Sequence, residues 1–171
     1  PLLGYRIDGN EWVWENELDT QVCAWLSDHV VGDTTIMPGT GYAEMALAAA
    51  NSWQPEKFFE IERLDIRAPL LFNKNQSKRL RLSIDPSDGT FAIRSRDTQS
   101  RDEWTLNASG RISGGSSGTR LQQMQPAIPD AAPELAGADH ETLTRAAGLA
   151  YGPAFRAITA IWREGESVHA K

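Results

Sequence analysis

The 171 residues contain a single cysteine, Cys23. No disulfide can form within the chain, and a reducing compartment is expected. Cys23 itself reads as a small core residue. No apolar run approaches the ~20 residues needed to span a bilayer. The opening PLLGYRIDGN lacks the basic and apolar pattern of a secretory signal. A cytoplasmic protein without a membrane segment is the expectation. Excess positive charge is missing too: a net charge of −6 leaves no electrostatic footprint for nucleic acid, although acidity alone identifies no partner. With 40% hydrophobic and 23% charged residues, the chain has the composition of a globular protein, and its length suits one domain with a proper core.

The informative stretch runs from Asp28 to Ala50, DHVVGDTTIMPGTGYAEMALAAA. His29 follows AWLSD and precedes Val30-Val31, so it is expected in or at the end of an extended run. Gly32-Asp33-Thr34 is a turn signal, and Thr35-Ile36-Met37 is β-prone before Pro38-Gly39. From about Thr40 the residues become strong helix formers. Ala43, Ala46, Leu47 and Ala50 fall on one helical face, and small residues there suit a helix closely wrapped by a sheet. Trp53-Gln54-Pro55 ends the helix, because a residue before proline resists helical dihedrals.

On either side the pattern is that of strands. Trp12, Trp14 and Leu18 share parity, which predicts a half-buried strand whose aromatics pack the core and its edge. Between Phe58 and Ile112, alternating segments such as Leu80, Leu82 and Ile84 are separated by turn chemistry at Asp85–Gly89 and 97–103. Ile66-Arg67-Ala68-Pro69 reads as a strand end. Strands meandering after one Ala-rich helix predict an α+β hot-dog, an antiparallel sheet wrapped around a central helix. Residues 113–139 differ: Ser113-Gly114-Gly115-Ser116-Ser117-Gly118, then Pro126, Pro129 and Pro133, read as a flexible linker. A short helix is predicted with Asp139 as its N-cap and Gly148 at its end. Ile158–Trp162 and Ser167–Ala170 are predicted to form a hairpin turning at Glu164-Gly165-Glu166.

His29-x-x-x-Asp33-x-x-x-x-Pro38 resembles the HxxxGxxxxP motif of dehydratase domains in modular polyketide synthases. The helix after Pro38-Gly39 is similar to that family's PGxxYxEMAL segment. Pro1-Leu2-Leu3-Gly4 and Tyr151-Gly152-Pro153-Ala154-Phe155 resemble two further signatures of the same domains. The motif glycine is replaced by Asp33, although Gly32 is adjacent. The resemblance implies a double hot-dog: residues 1–112 as the first, 113–139 as linker, and 140–171 as the start of the second. It implies elimination of water from a β-hydroxyacyl thioester carried on the phosphopantetheine of an acyl carrier protein, with no cofactor bound by the domain and no metal. Neighbouring synthase domains and a homodimeric parent enzyme are the implied partners.

That reaction needs a base for the α-proton, an acid for the departing hydroxyl, and donors for the developing enolate oxygen. His29 is the candidate base, since a histidine titrates near neutrality; His140 and His169 read as surface or strand residues. The donor is expected from main-chain N–H groups at the helix start, Gly39 foremost, with Pro38 setting the chain direction. In the resembled family the acid is an aspartate of the second hot-dog, in a DxxxQ-type motif absent from these residues, so the chain is expected to be an incomplete enzyme. Glu44 occupies the position of the acidic residue in single hot-dog dehydratases, but a structural role is favoured here. Tyr151 either orients substrate or packs with Phe155 across a Gly-Pro turn. Asp33 either fills a turn, which is favoured, or places a carboxylate beside His29. Two alternatives stand beside the dehydratase: a single hot-dog hydratase or thioesterase using Glu44, and a non-catalytic pseudo-dehydratase module.

Overall fold

A computed structural model describes residues 2–9, 12–55, 57–73, 76–115 and 128–171. Pro1 of the first signature, and Ser116-Ser117-Gly118 with Pro126 of the expected linker, lie outside the described residues. The chain opens with β1 (Tyr5–Arg6) and β2 (Trp12–Leu18), followed by a 3-10 turn, Ala24–Asp28. Next come β3 (His29–Val31), β4 (Thr34–Ile36) and the long helix α1 (Gly39–Trp53). The meander comprises β5 (Phe58–Ile66), β6 (Leu71–Phe72), β7 (Lys78–Ile84), β8 (Thr90–Asp97) and β9 (Thr105–Gly115). After it stand β10 (Leu135–Ala136), α2 (Gly137–Ala146), β11 (Leu149–Tyr151), a 3-10 turn at Pro153–Phe155, β12 (Ala160–Glu164) and β13 (Ser167–Ala170).

Six strands form an antiparallel sheet in the order β1-β2-β7-β8-β9-β5, and α1 packs on it against β5, β7 and β9. Alternation dictates the sheet's inner face: Trp14 and Leu18 from β2, Leu80, Leu82 and Ile84 from β7, Phe91 and Ile93 from β8 are all buried. From the helix, Tyr42, Met45, Ala46, Ala49 and Ala50 meet them. Each large side chain so buried contributes roughly 1.5–3 kcal/mol, and the alanines let the helix lie close to the sheet. The arrangement is the predicted α+β hot-dog. Asp85–Gly89 is the tight turn its composition requires. Asp85 accepts from the Ser87 amide at 2.9 Å and hydroxyl at 2.6 Å, which hold its carboxyl below the usual range. Gly89 adopts φ +75°, and a Cβ there would meet the Ile112 carbonyl oxygen at 2.3 Å.

Two bulges explain where simple alternation fails. Phe59 and Ile61 face the core, but so does Leu64, because the β5–β9 register shifts between Ile61 and Arg63. The second lies opposite Ile93 and Arg94, where Asn107 is the extra residue. Its side chain is 1% exposed, and its carbonyl oxygen accepts from the Arg67 amide at 2.7 Å, closing the end of β5.

The remaining strands make two small sheets, β11-β3-β4-β6 and β10-β12-β13. In the first, β11 from late in the chain pairs with β3 from its beginning. The second contains the predicted hairpin, with Gly165 at φ +60° in its turn.

Several expectations need correction. His29 lies in an extended run as expected, but at its start rather than its end, because AWLSD before it is a 3-10 turn. The core face of α1 is rotated from the expected stripe: Leu47 is 39% exposed, whereas Tyr42 and Met45 are buried. Larger side chains one position away had more surface to remove from water. Residues 113–115, expected in the linker, continue β9 and pair with β5. The second helix starts at Gly137, with Ala136 at the N-cap and Asp139 in its first turn. Gly137 is fixed there by the hydrogen bond its amide N–H donates to the Thr159 carbonyl at 2.9 Å, and a Cβ would stand 2.5 Å from the Ile158 carbonyl oxygen.

Candidate active site

The hairpin β3–β4 builds the site around His29. Gly32 and Asp33 form its two-residue turn, with Gly32 at φ +61°. Pairing of Val31 with Thr34 and Val30 with Thr35 carries the register back to place Ile36 opposite His29. The His29 Nδ1 lies 2.9 Å from the Ile36 carbonyl oxygen. A carbonyl can only accept, so Nδ1 carries the proton and donates it. In the neutral imidazole, Nε2 is then the nitrogen whose lone pair is available for a proton.

Tyr151 lies opposite His29 in the β3–β11 pairing, and the two rings stack with centroids 5.6 Å apart. Phe155 closes on the same imidazole at 5.1 Å, tilted by 59°. Trp25 meets Phe155 at 6.2 Å from the preceding 3-10 turn. Thus the structure brings together two sequence-predicted residues, His29 and Tyr151, on the faces of one aromatic cluster. The cavity that adjoins the cluster measures about 390 Å³ and is bounded by Tyr151, Phe155, Arg156, His140, Thr144 and Ile158. His29 does not line it; the geometry around the imidazole, rather than the cavity, marks the candidate site.

Pro38 and Gly39 follow Ile36 directly along the chain. Pro38 is buried in an extended conformation and caps α1, and Gly39 is its exposed first residue. No side chain caps the helix start, and of its first-turn amides that of Gly41 donates to the Pro38 carbonyl at 2.9 Å; the positive end of the helix dipole lies at this terminus. Gly39 has space beside it. A Cβ there would find only Ile66 Cδ1, at 3.6 Å.

Asp33 is exposed in the hairpin turn, three residues before Ile36, which faces His29. No described residue hydrogen-bonds to or pairs with its side chain, and the partner of His29 Nδ1 is a carbonyl, not a carboxylate. The turn role is the one its position serves. Glu44 is likewise exposed on α1, and its side chain has no ion pair or hydrogen bond among the described residues. His140 on α2 borders the cavity beside Tyr151 and Phe155, and His169 on β13 is 3.8 Å from Glu164. No group of three or more His, Cys, Asp or Glu among the described residues is placed to hold a metal. No described helix is long and apolar enough to cross a membrane.

Sequence reasoning missed Asp28, Trp25 and Arg156. Asp28 accepts the Ala154 amide at 2.9 Å through Oδ2, and its backbone carbonyl accepts the Gly152 amide at 2.8 Å. Arg156 Nε donates to the Tyr151 carbonyl at 2.9 Å, while its guanidinium pairs with Glu141 at 2.9 Å. The only signal available was the adjacency of Asp28 to His29, because these contacts join segments far apart in sequence.

Residues 1–96 match the family model for the polyketide synthase dehydratase domain. Among similar proteins, the Spectinabilin polyketide synthase system protein NorA' of Streptomyces orinoci is 36% identical over 184 residues, covering 100% of this chain and 5% of the relative. Mycoketide-CoA synthase of Mycobacterium tuberculosis is 32% identical, covering 100% of this chain and 4% of the relative. Of solved structures, GphF Dehydratase 1 superposes with a TM-score of 0.80 at 27% identity, over 99% of this chain and 61% of that one. A structure concerned with dehydratase substrate selection for the borrelidin and fluvirucin polyketide synthases gives a TM-score of 0.78 at 26% identity, over 96% and 61% of the two chains. The chain therefore spans a small part of its curated relatives and less than two thirds of the solved dehydratases.

Proposed function

The chain belongs to the polyketide synthase dehydratase domain family, and from that premise we propose that it supplies the base half of a dehydratase acting on a β-hydroxyacyl thioester. The observation that carries this reading is the hydrogen bond from His29 Nδ1 to the Ile36 carbonyl, which leaves Nε2 as a proton acceptor. Nε2 removes the α-proton, and the electron pair of the broken C–H bond shifts toward the thioester carbonyl. The amide at Gly39 receives the developing negative charge on that oxygen, aided by the helix dipole. The pair then returns to form the α,β double bond as the β C–O bond breaks, and an acid outside these residues protonates the departing hydroxyl to water. Oxidation state is unchanged overall, so the elimination calls for no redox cofactor.

The substrate arrives as a thioester on the phosphopantetheine of an acyl carrier protein, within a polypeptide shared with other synthase domains and assembled as a homodimer. Glu44 takes a structural part: it is exposed and has no contact that would aim it at the base. The experiment is turnover of a β-hydroxyacyl thioester by the parent polypeptide. His29→Ala is expected to lower dehydration ~10²–10⁴-fold, the usual cost of removing a general base, while Glu44→Gln leaves it near the parental rate. Full dehydration without His29, or its loss on changing Glu44, would overturn the assignment.

A further inference from the structure

We propose that Asp28 is a positioning residue: it clamps the Tyr151–Phe155 loop onto the strand of His29 and thereby holds both aromatic rings against the imidazole. The inference rests on His29 being the base, as proposed above, but its geometry stands on contacts of Asp28 alone. Asp28 is half-buried at the end of the 3-10 turn, immediately before His29. It engages the loop twice, by its Oδ2 to the Ala154 amide at 2.9 Å and by its carbonyl oxygen to the Gly152 amide at 2.8 Å. Hydrogen bonds accepted by a carboxylate are roughly twice as strong as those between neutral groups.

Gly152 makes the contact possible. A Cβ built there would fall 2.0 Å from Asp28 Oδ1 and 2.3 Å from its Cγ. The conformation of Gly152 is extended, with φ −85° and ψ −177°, one that any residue adopts. Its need for glycine is therefore steric, set by the carboxylate packed on it. The carboxylate and the missing side chain fit one another.

The loop so held carries the two rings that contact His29. Tyr151 precedes Gly152 and stacks on the imidazole at 5.6 Å, and Phe155 follows Ala154 and tilts against it at 5.1 Å. Pairing of β11 with β3 ends at Tyr151, opposite His29. Beyond that point, the described bonds from the loop back to the histidine's segment are those made by Asp28. Releasing the carboxylate frees Phe155 first and loosens Tyr151 through the turn.

The test compares Asp28→Ala, Asp28→Asn and Gly152→Ala in the parent polypeptide, with two readouts. One is dehydration kinetics. The other is the rate at which diethyl pyrocarbonate modifies His29, followed by peptide mass, which reports ring shielding whether or not His29 is the base. Misplacement of a catalytic group by ~1 Å can cost ~10²-fold, so Asp28→Ala should lower kcat ~10–100-fold with KM little changed, and should speed modification of His29 several-fold. Asp28→Asn keeps an oxygen acceptor for Ala154 and should restore most of both. Gly152→Ala should resemble Asp28→Ala, and combining the two should add little, as expected for partners in one contact. Unchanged shielding of His29 in Asp28→Ala would overturn the clamp, whatever happens to turnover. So would an additive double variant. Absence of dehydration in the parental protein itself would count against the proposed function and leave the shielding comparison to decide the clamp.

Discussion

Tyr151 sits directly across the β3–β11 ladder from His29, with ring planes 30° apart and centroids separated by 5.6 Å. The contact joins the two signatures that the sequence carries at opposite ends, and it does so through backbone pairing as well as through the rings. Strand register therefore fixes the tyrosine ring against the imidazole of His29. The hydroxyl is free to serve a second purpose, and the two contributions can be separated.

Tyr151→Phe preserves the stack and removes only the hydroxyl. If packing is the residue's whole role, the variant should retain dehydration within about 2-fold; if the hydroxyl orients substrate, loss of one hydrogen bond of ~0.5–1.5 kcal/mol predicts a decrease of roughly 2- to 10-fold. Tyr151→Ala should be worse than either, since it also removes the ring from the imidazole face. Steady-state turnover of the two variants, compared with Tm, assigns the share of each. Because Tyr151 contacts His29 from β11, we expect the phenylalanine variant to keep most of its activity.

Tyr42 yields a prediction about pH. Tyr42 is 1% exposed in the core, and among the described residues no group meets its hydroxyl with good hydrogen-bond geometry, although the Leu70 backbone lies close to it. Burial pushes the hydroxyl up to about 12, only partly offset by the Leu70 backbone nearby. The neutral form is favoured in the folded state relative to the unfolded one, where ionisation begins near the ordinary value of 10.0. The associated stability is fully present below that value and is lost as pH rises toward and through about 12. Denaturation at pH 8, 10 and 11.5 should show stability falling across that window. In Tyr42→Phe the fall should be smaller, and stability at pH 8 should be no lower, because an unsatisfied buried hydroxyl is removed. An equal alkaline loss in the variant would mean that other groups cause it.

Much of the fold was legible because its elements obey simple periods. Leu80, Leu82 and Ile84 alternate, and all three are buried; the helix ends at Trp53 just ahead of Pro55 as steric restriction requires. Where legibility failed, a tertiary partner decided. Glu62 and Asn107 occupy register shifts that a neighbouring strand imposes, and Gly137 starts α2 because the Thr159 carbonyl holds its amide. The site divides in the same way. His29, Pro38 and Gly39 sit in one continuous segment, whose spacing could be read along the chain. Asp28 looked like an ordinary polar neighbour, since its partners Gly152 and Ala154 come from the other end of the sequence.

Gly39 offers the sharpest separation of structure from function. As the exposed first residue of α1, it has a helical rather than left-handed backbone, and a Cβ would meet nothing nearer than Ile66 Cδ1 at 3.6 Å. Packing therefore does not demand glycine, and alanine is the better helix former. Gly39→Ala should leave Tm unchanged or slightly raised. A glycine kept for close approach of a ligand gives the opposite result in activity: the new methyl group would crowd the thioester oxygen against the amide that is proposed to receive its charge. Removing an oxyanion donor outright costs ~10²–10³-fold in kcat, and crowding one should cost less, on the order of 10-fold. The expected variant is thus as stable as the parent, yet slower, with kcat affected more than carrier binding. Thermal denaturation and turnover measured on the same preparation check both halves. A stable Gly39→Ala protein with parental kcat would show that charge on the thioester oxygen is stabilised elsewhere, leaving His29 as base but removing the helix start from the mechanism.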